Sequence, residues 1–135
     1  MWNILLKEEK KKADKNLHEK LNKKMFNTLF DSRISSKMKA IMIAKFIEKG
    51  ADVNAEYIYG KTALMIAIMK DDKEMVDLLL EKGADVKIKN EQGETALEIA
   101  RDGNNKEVVE IINKHIAQKS SAKNSAEFIN IAKGR

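Results

Sequence analysis

The sequence predicts an all-α solenoid of stacked helix-turn-helix units, joined by β-turn connections and closed by a helical cap at each end. Two repeated phrases and one absence predict it. Residues 45–54 read KFIEKGADVN, and residues 78–87 read LLLEKGADVK. Gly60-Lys61-Thr62-Ala63-Leu64 returns as Gly93-Glu94-Thr95-Ala96-Leu97, so both phrases recur after 33 residues. A fixed period of this length belongs to arrays in which each unit buries its apolar face only against its neighbours. The chain also has no proline, which is compatible with helix through most of its 135 residues.

Residues 1–24 are rich in lysine and glutamate and predict a basic N-terminal capping helix. Leu17, Leu21, Met25 and Leu29 recur every fourth residue and give it one narrow apolar stripe. The rival reading, a helix lying on an anionic membrane, is disfavoured by the thinness of that stripe beside Lys10–Lys12. Residues 25–56 read as a degenerate first repeat. Its inner helix is expected over 25–33 with Phe26, Leu29 and Phe30 inward, and its outer helix over 37–49. Met42, Ile43, Phe46 and Ile47 stand one period before Met75, Val76, Leu79 and Leu80.

The second repeat, residues 57–89, predicts an inner helix over 62–70 and an outer helix over 73–82. The third, residues 90–118, predicts helices over 95–102 and 106–117. Gly50 and Gly83 follow outer helices, where a left-handed residue closes the last turn. Gly60 and Gly93 stand in the turns that lead into inner helices, and Thr62 and Thr95 are placed to cap them. Leu78–Leu80, Val108, Val109, Ile111 and Ile112 are expected in the core. Residues 119–135 begin as KSSAKNSAE, which reads as a linker, and end with Phe128, Ile129 and Ile131. Those three either dock as a short last helix on the third repeat or belong to a mobile tail.

Charge is distributed unevenly. Residues 1–50 carry 13 Lys/Arg against 6 Asp/Glu, residues 51–118 carry 9 against 14, and residues 119–135 carry 4 against 1. An acidic body with basic ends does not describe a nucleic-acid groove, and no aromatic side chains alternate with the N-terminal lysines for base stacking. Nucleic acid is therefore not an expected partner. No apolar run is long enough to span a bilayer, and Trp2–Leu6 is too short for a signal peptide and has no basic segment before it. The expected compartment is the cytoplasm, although a removed signal or secretion into a host would leave no trace here. The lysine- and isoleucine-rich composition points to an AT-rich bacterial genome.

Catalytic and metal chemistry lack their usual residues. There is no cysteine, and the two histidines, His18 and His115, lie far apart in lysine-rich stretches. Nothing supplies a nucleophile with a base and an orienting group, nor the paired ligands of a zinc site. The glycines occur at turn spacing rather than in a phosphate loop. Asp71-Asp72 lacks the alternating oxygens of a calcium loop and reads as a solvated turn. No enzymatic activity, cofactor or metal is expected.

The run GKTALMIAIMKDDKEMVDLLLEKGADVKIKN, residues 60–90, resembles one complete ankyrin repeat. Residues 93–116, GETALEIARDGNNKEVVEIINKHI, resemble a second without its final turn. Residues near 26–54 resemble a degenerate first repeat whose second half matches well. The departures are Ala63 and Ala96 where the family has proline, Met65 where it has histidine, and Tyr57 where it has aspartate. The resemblance implies a non-enzymatic scaffold, monomeric, that binds a partner protein through turn tips and the concave face of the inner helices.

Carried over by position, this implies contacts at Glu56, Tyr57, Ile58, Tyr59 and Lys61, with Met69 and Lys70 at the end of that inner helix. The next tip supplies Lys89, Glu91, Gln92 and Glu94, followed by Arg101 and Asp102. Tyr57-Ile58-Tyr59 is the strongest candidate, because tyrosine gives large contact area at low entropic cost. The competing reading folds one or more of these side chains back onto the first repeat. Two other functions stay open: an inhibitor or immunity-type protein masking a basic active site or nucleic-acid-binding surface, and a structural, self-associating domain. A standard interface uses roughly 20–30 residues a side, more than these tips offer. Binding is therefore expected to draw on the basic N-terminal helix, and to weaken with salt and on removal of residues 1–16.

Overall fold

Helices alternate between two layers along the stack. The computed structural model describes residues 2–133, with side chains described for residues 3–119. In chain order the helices are α1 (Trp2–Phe30), α2 (Ser36–Glu48), α3 (Ala63–Met69), α4 (Lys73–Glu81), α5 (Ala96–Asp102) and α6 (Lys106–Lys133). A tight turn, Ile58–Gly60, marks the first tip. The end of α1 forms the inner layer with α3 and α5, while α2, α4 and α6 form the outer layer. Each inner helix packs on the outer helix that follows it, and each layer is continuous from repeat to repeat.

Local chemistry sets the helix limits. Thr62 and Thr95 each accept a hydrogen bond from the third residue of the next helix, and Glu98 returns the bond to Thr95 as a capping box. Asp72 and Asn105 cap α4 and α6 in the same manner. Four helix ends close alike, with paired amides reaching back over the last turn: at Gly50–Ala51, Asp71–Asp72, Gly83–Ala84 and Asn104–Asn105. The first residue of each pair is left-handed, with φ of 119° at Gly50, 55° at Asp71, 93° at Gly83 and 54° at Asn104. The Asp71-Asp72 pair is thus one helix closure followed by one cap.

The core runs along the stack as a single cluster. Met25, Ile43, Met75, Val76, Leu79, Ala100, Val108 and Ile112 are all buried within it. Met65 is buried too, so its substitution for histidine adds to the inner-layer packing. Leu78, Val109 and Ile111 are half-buried against the same cluster.

A second thread runs along the turns. Asn22 Oδ1 accepts a hydrogen bond from the Asp52 amide at 2.7 Å, and Asn54 Oδ1 accepts one from the Asp85 amide at 2.8 Å. Asp52 and Asp85 in turn accept from the amides two residues on. Each turn is braced internally and then tied to the unit before it.

The structure departs from expectation at both ends. The capping helix and the first inner helix are one continuous helix, because nothing between residues 2 and 30 interrupts it: no glycine, no proline, no cap. The basic segment does not lie across the open end of the stack, since residues 3–20 are exposed. Leu17 is exposed with them, and so is Phe30 at 46 %. The stripe therefore begins to bury only at Leu21. At the C-terminus, the expected linker after Gln118 continues α6 through Lys133. Its alanines, lysines and glutamate are good helix formers, and no helix-breaking glycine or proline occurs there. The side chains of Phe128, Ile129 and Ile131 lie outside the described residues.

The loop between α1 and α2 is pinned by its own ion pair. Arg33 donates to Asp31 from its guanidinium at 2.9 and 3.0 Å and from its backbone amide at 2.9 Å. The guanidinium bonds first, then the amide, hold the Asp31 carboxyl down to about 2. A lowered folded-state value means that this contribution to stability is complete above the ordinary value of 3.8 and is lost as pH falls toward 2. The expected NMR titration midpoint of Asp31 is near pH 2, rising into the usual carboxylate range in Arg33→Ala. An unchanged midpoint in that variant would refute the assignment.

Candidate protein-binding surface

The two turn tips precede α3 and α5 and are bonded to each other. The Glu91 amide donates to the Tyr59 carbonyl at 3.0 Å, which joins 56–61 to 89–94 in one surface. In the second tip, Asn90 is buried and its Oδ1 accepts from the Gln92 and Glu94 amides. Tyr57 stands one period earlier and has no acceptor to offer these amides. The first tip compensates with a different turn: Tyr59 and Gly60 are both left-handed, at φ 62° and 70°. In the second tip, Gly93 alone is left-handed, at 78°.

Gly60 also lies against the neighbouring tip, where an added Cβ would meet the Glu91 amide nitrogen at 3.1 Å. Left-handed geometry costs an L-residue with a Cβ roughly 1–2 kcal/mol, less for Asn or Asp. Tyr59→Asn is therefore expected to raise stability by about 0.5–1 kcal/mol. A melt with no increase would show that the tyrosine's contacts offset the strain.

Tyr57 leaves the tip toward α1. Its ring stacks on Phe26 at 4.8 Å between centroids and meets Phe30, tilted by 40°, at 5.3 Å. Part of the triplet thus folds back on the first repeat, while Ile58 and Tyr59 remain exposed at 57 % and 62 %. Lys61 Nζ lies 5.9 Å from the Tyr59 ring centre. Lys70 Nζ lies 5.1 Å from the Phe30 ring and donates to the Leu29 carbonyl at 3.1 Å, as does Lys39. Two ammonium groups thus neutralise the negative end of α1.

The other carried-over residues are spread along the stack. Met69 is exposed and borders a groove of about 630 Å³ between the turns at Asp71–Lys73 and Gly103–Glu107. An Asn105–Asp71 hydrogen bond and a Lys73–Glu107 ion pair link the two sides. Glu56, Lys89, Glu91, Gln92, Arg101 and Asp102 are exposed, and Glu94 is half-buried. The structure brings the two tips together, whereas Met69, Lys70, Arg101 and Asp102 lie at the far ends of α3 and α5.

Sequence reasoning missed Phe30. It closes α1 as Met69 closes α3, on the same layer, and stays half open to solvent. The longer loop Asp31–Ser35 displaces it from the 33-residue register, so period matching could not find it. The second aromatic stripe, Phe26 and Phe30 beside Leu21, Met25 and Leu29, was the available signal.

A family model of ankyrin repeats, in 3 copies, matches residues 32–124. No curated protein matches the chain. The match begins just after α1, whose end nevertheless supplies the first inner helix. Among the described residues, no helix is long and apolar enough to cross a membrane. With more than half of the sequence matched and stacked helix pairs throughout, the chain belongs to the ankyrin repeat family, typically non-enzymatic protein–protein interaction modules.

Proposed function

We propose that the chain binds a partner protein at the N-terminal end of its concave surface, with Phe30, Tyr57, Ile58 and Tyr59 as the anchor. One observation carries this reading: four large apolar side chains, three of them aromatic, are open to solvent in one short stretch of the stack. Soluble proteins seldom leave such a cluster uncovered without use. Lys61 and Lys70 flank the rings, so the patch suits an apolar side chain of the partner with a carboxylate beside it. Glu56, Lys89, Glu91, Gln92 and Glu94 then form the polar rim, with Met69 a further apolar contact and Asp102 an outlying polar one at the far end of α5.

The experiment is affinity capture with the intact chain beside a Tyr57→Ala/Tyr59→Ala variant, read by mass spectrometry. A protein captured by the first and lost with the second would support the assignment. One retained equally by both would move the site to the termini or the outer helices. The inhibitor reading is favoured by the acidic excess of residues 51–118, and it requires the captured protein to be strongly basic.

A further inference from the structure

The two tips share a frame and differ in their acceptors. Tyr57 and Asn90 each donate an amide hydrogen to the carbonyl four residues on, Lys61 at 2.7 Å and Glu94 at 3.0 Å. Each carbonyl in turn accepts from a left-handed glycine, Gly60 or Gly93, at 3.0 Å. In the second tip the other amides are engaged as well. Asn90 Oδ1 accepts from Gln92 at 3.0 Å and from Glu94 at 2.9 Å, and the Glu91 amide reaches Tyr59.

The first tip has the same amides without those acceptors. The Tyr57 ring lies on Phe26 and brings no oxygen to the turn. The Ile58 amide has no earlier tip to bond, because α1 enters as an unbroken helix. Among the described residues neither Ile58 nor Tyr59 finds an acceptor for its amide, and the Lys61 amide reaches only the Ile58 carbonyl, at 3.5 Å. Tyr59 itself is left-handed, at φ 62° and ψ 27°. Successive unengaged amides in a turn of this kind form a concave donor site suited to an anion.

Solvent can serve these amides while the tip is open. A partner that covers Ile58 and Tyr59 removes the solvent, and a buried amide left without an acceptor is costly. We propose that the partner brings a carboxylate to the Ile58 and Tyr59 amides, supplying the oxygen that Asn90 supplies in the second tip. The inference rests on the reading of the first tip as the anchor and names what the partner must carry there. Net charge does not select the ligand, since Glu56 and Glu91 offset Lys61 and Lys89 around the tips. The donors select it: backbone amides bond an ionised oxygen more strongly than a neutral one. Lys61, beside the Tyr59 ring, makes no ion pair among the described residues. The partner segment is therefore an Asp or Glu next to the apolar residue that meets the rings.

The test is an NMR titration of the full chain with sodium acetate, compared with sodium chloride at equal ionic strength. The Ile58 and Tyr59 amide protons should move downfield and saturate in acetate alone. Those of Glu91 and Gln92, already bonded, should stay in place. Tyr57→Asn supplies an acceptor within the tip, so its Tyr59 amide should start downfield and ignore acetate. Tyr57→Leu supplies none and should still respond, with thermal melts checking that both variants fold. A Tyr59 amide unmoved by acetate, moved equally by chloride, or still responsive in Tyr57→Asn would overturn the proposal. Capture of a partner through the rings without an acetate response would sink the carboxylate and leave the anchor standing. A saturable acetate response with no dependence of capture on Tyr57 and Tyr59 would do the reverse.

Discussion

Leu79→Ala is expected to cost about 2–5 kcal/mol of folding stability by opening a cavity in the centre of the stack. Leu79 is fully buried on α4, the middle outer helix, which packs on α2, α3 and α6. In a stacked array each unit is held only by its neighbours, so a defect there weakens both junctions at once. The loss is a large part of the 5–15 kcal/mol that typical domains possess, roughly a 10–20 °C fall in melting temperature. The transition should also broaden as the two ends lose their coupling. Thermal and urea unfolding of the variant checks this, and a fall under about 3 °C would mean that Leu79 is not a core residue.

Tyr59→Ala should behave in the opposite way. Its side chain is exposed, so removal is expected to change stability by only about 0.5 kcal/mol. As part of the proposed binding patch it should cost 2 kcal/mol or more in affinity, about a thirtyfold rise in Kd for the captured partner. Calorimetric titration of both forms against that partner, beside their melts, separates the two effects. Equal affinity would remove Tyr59 from the interface, and a large stability loss would return it to the fold.

Most of the fold was legible in the sequence because repetition supplied an internal check. Gly50 with Gly83, and Thr62 with Thr95, occur at matching places and perform matching tasks, so reading one unit read the other. The first repeat lacked that check. α1 enters as a continuous helix with no tip, and the loop Asp31–Ser35 breaks the 33-residue count. Leu17 and Phe30 were consequently expected inside and are outside.

The candidate surface was legible only in outline. Position in the repeat located both tips, but not the tie between Glu91 and Tyr59, which depends on backbone geometry across two units. Nor could sequence divide Tyr57 from Tyr59. One ring stacks on Phe26 and its near neighbour stands free, a distinction that belongs to the turn.

The asparagine thread gives the stack a direction in which it can be extended. Asn22 passes a carbonyl to Asp52, and Asn54 passes one to Asp85. One period beyond Asn54 stands Lys87, whose ammonium cannot accept an amide hydrogen. A copy of this unit stacked directly behind residues 57–89 would inherit the apolar layers but not the polar link, and would be the first to peel away. Restoring the acceptor with Lys87→Asn would make residues 57–89 a unit that can be copied in tandem, and the length of this array an adjustable property.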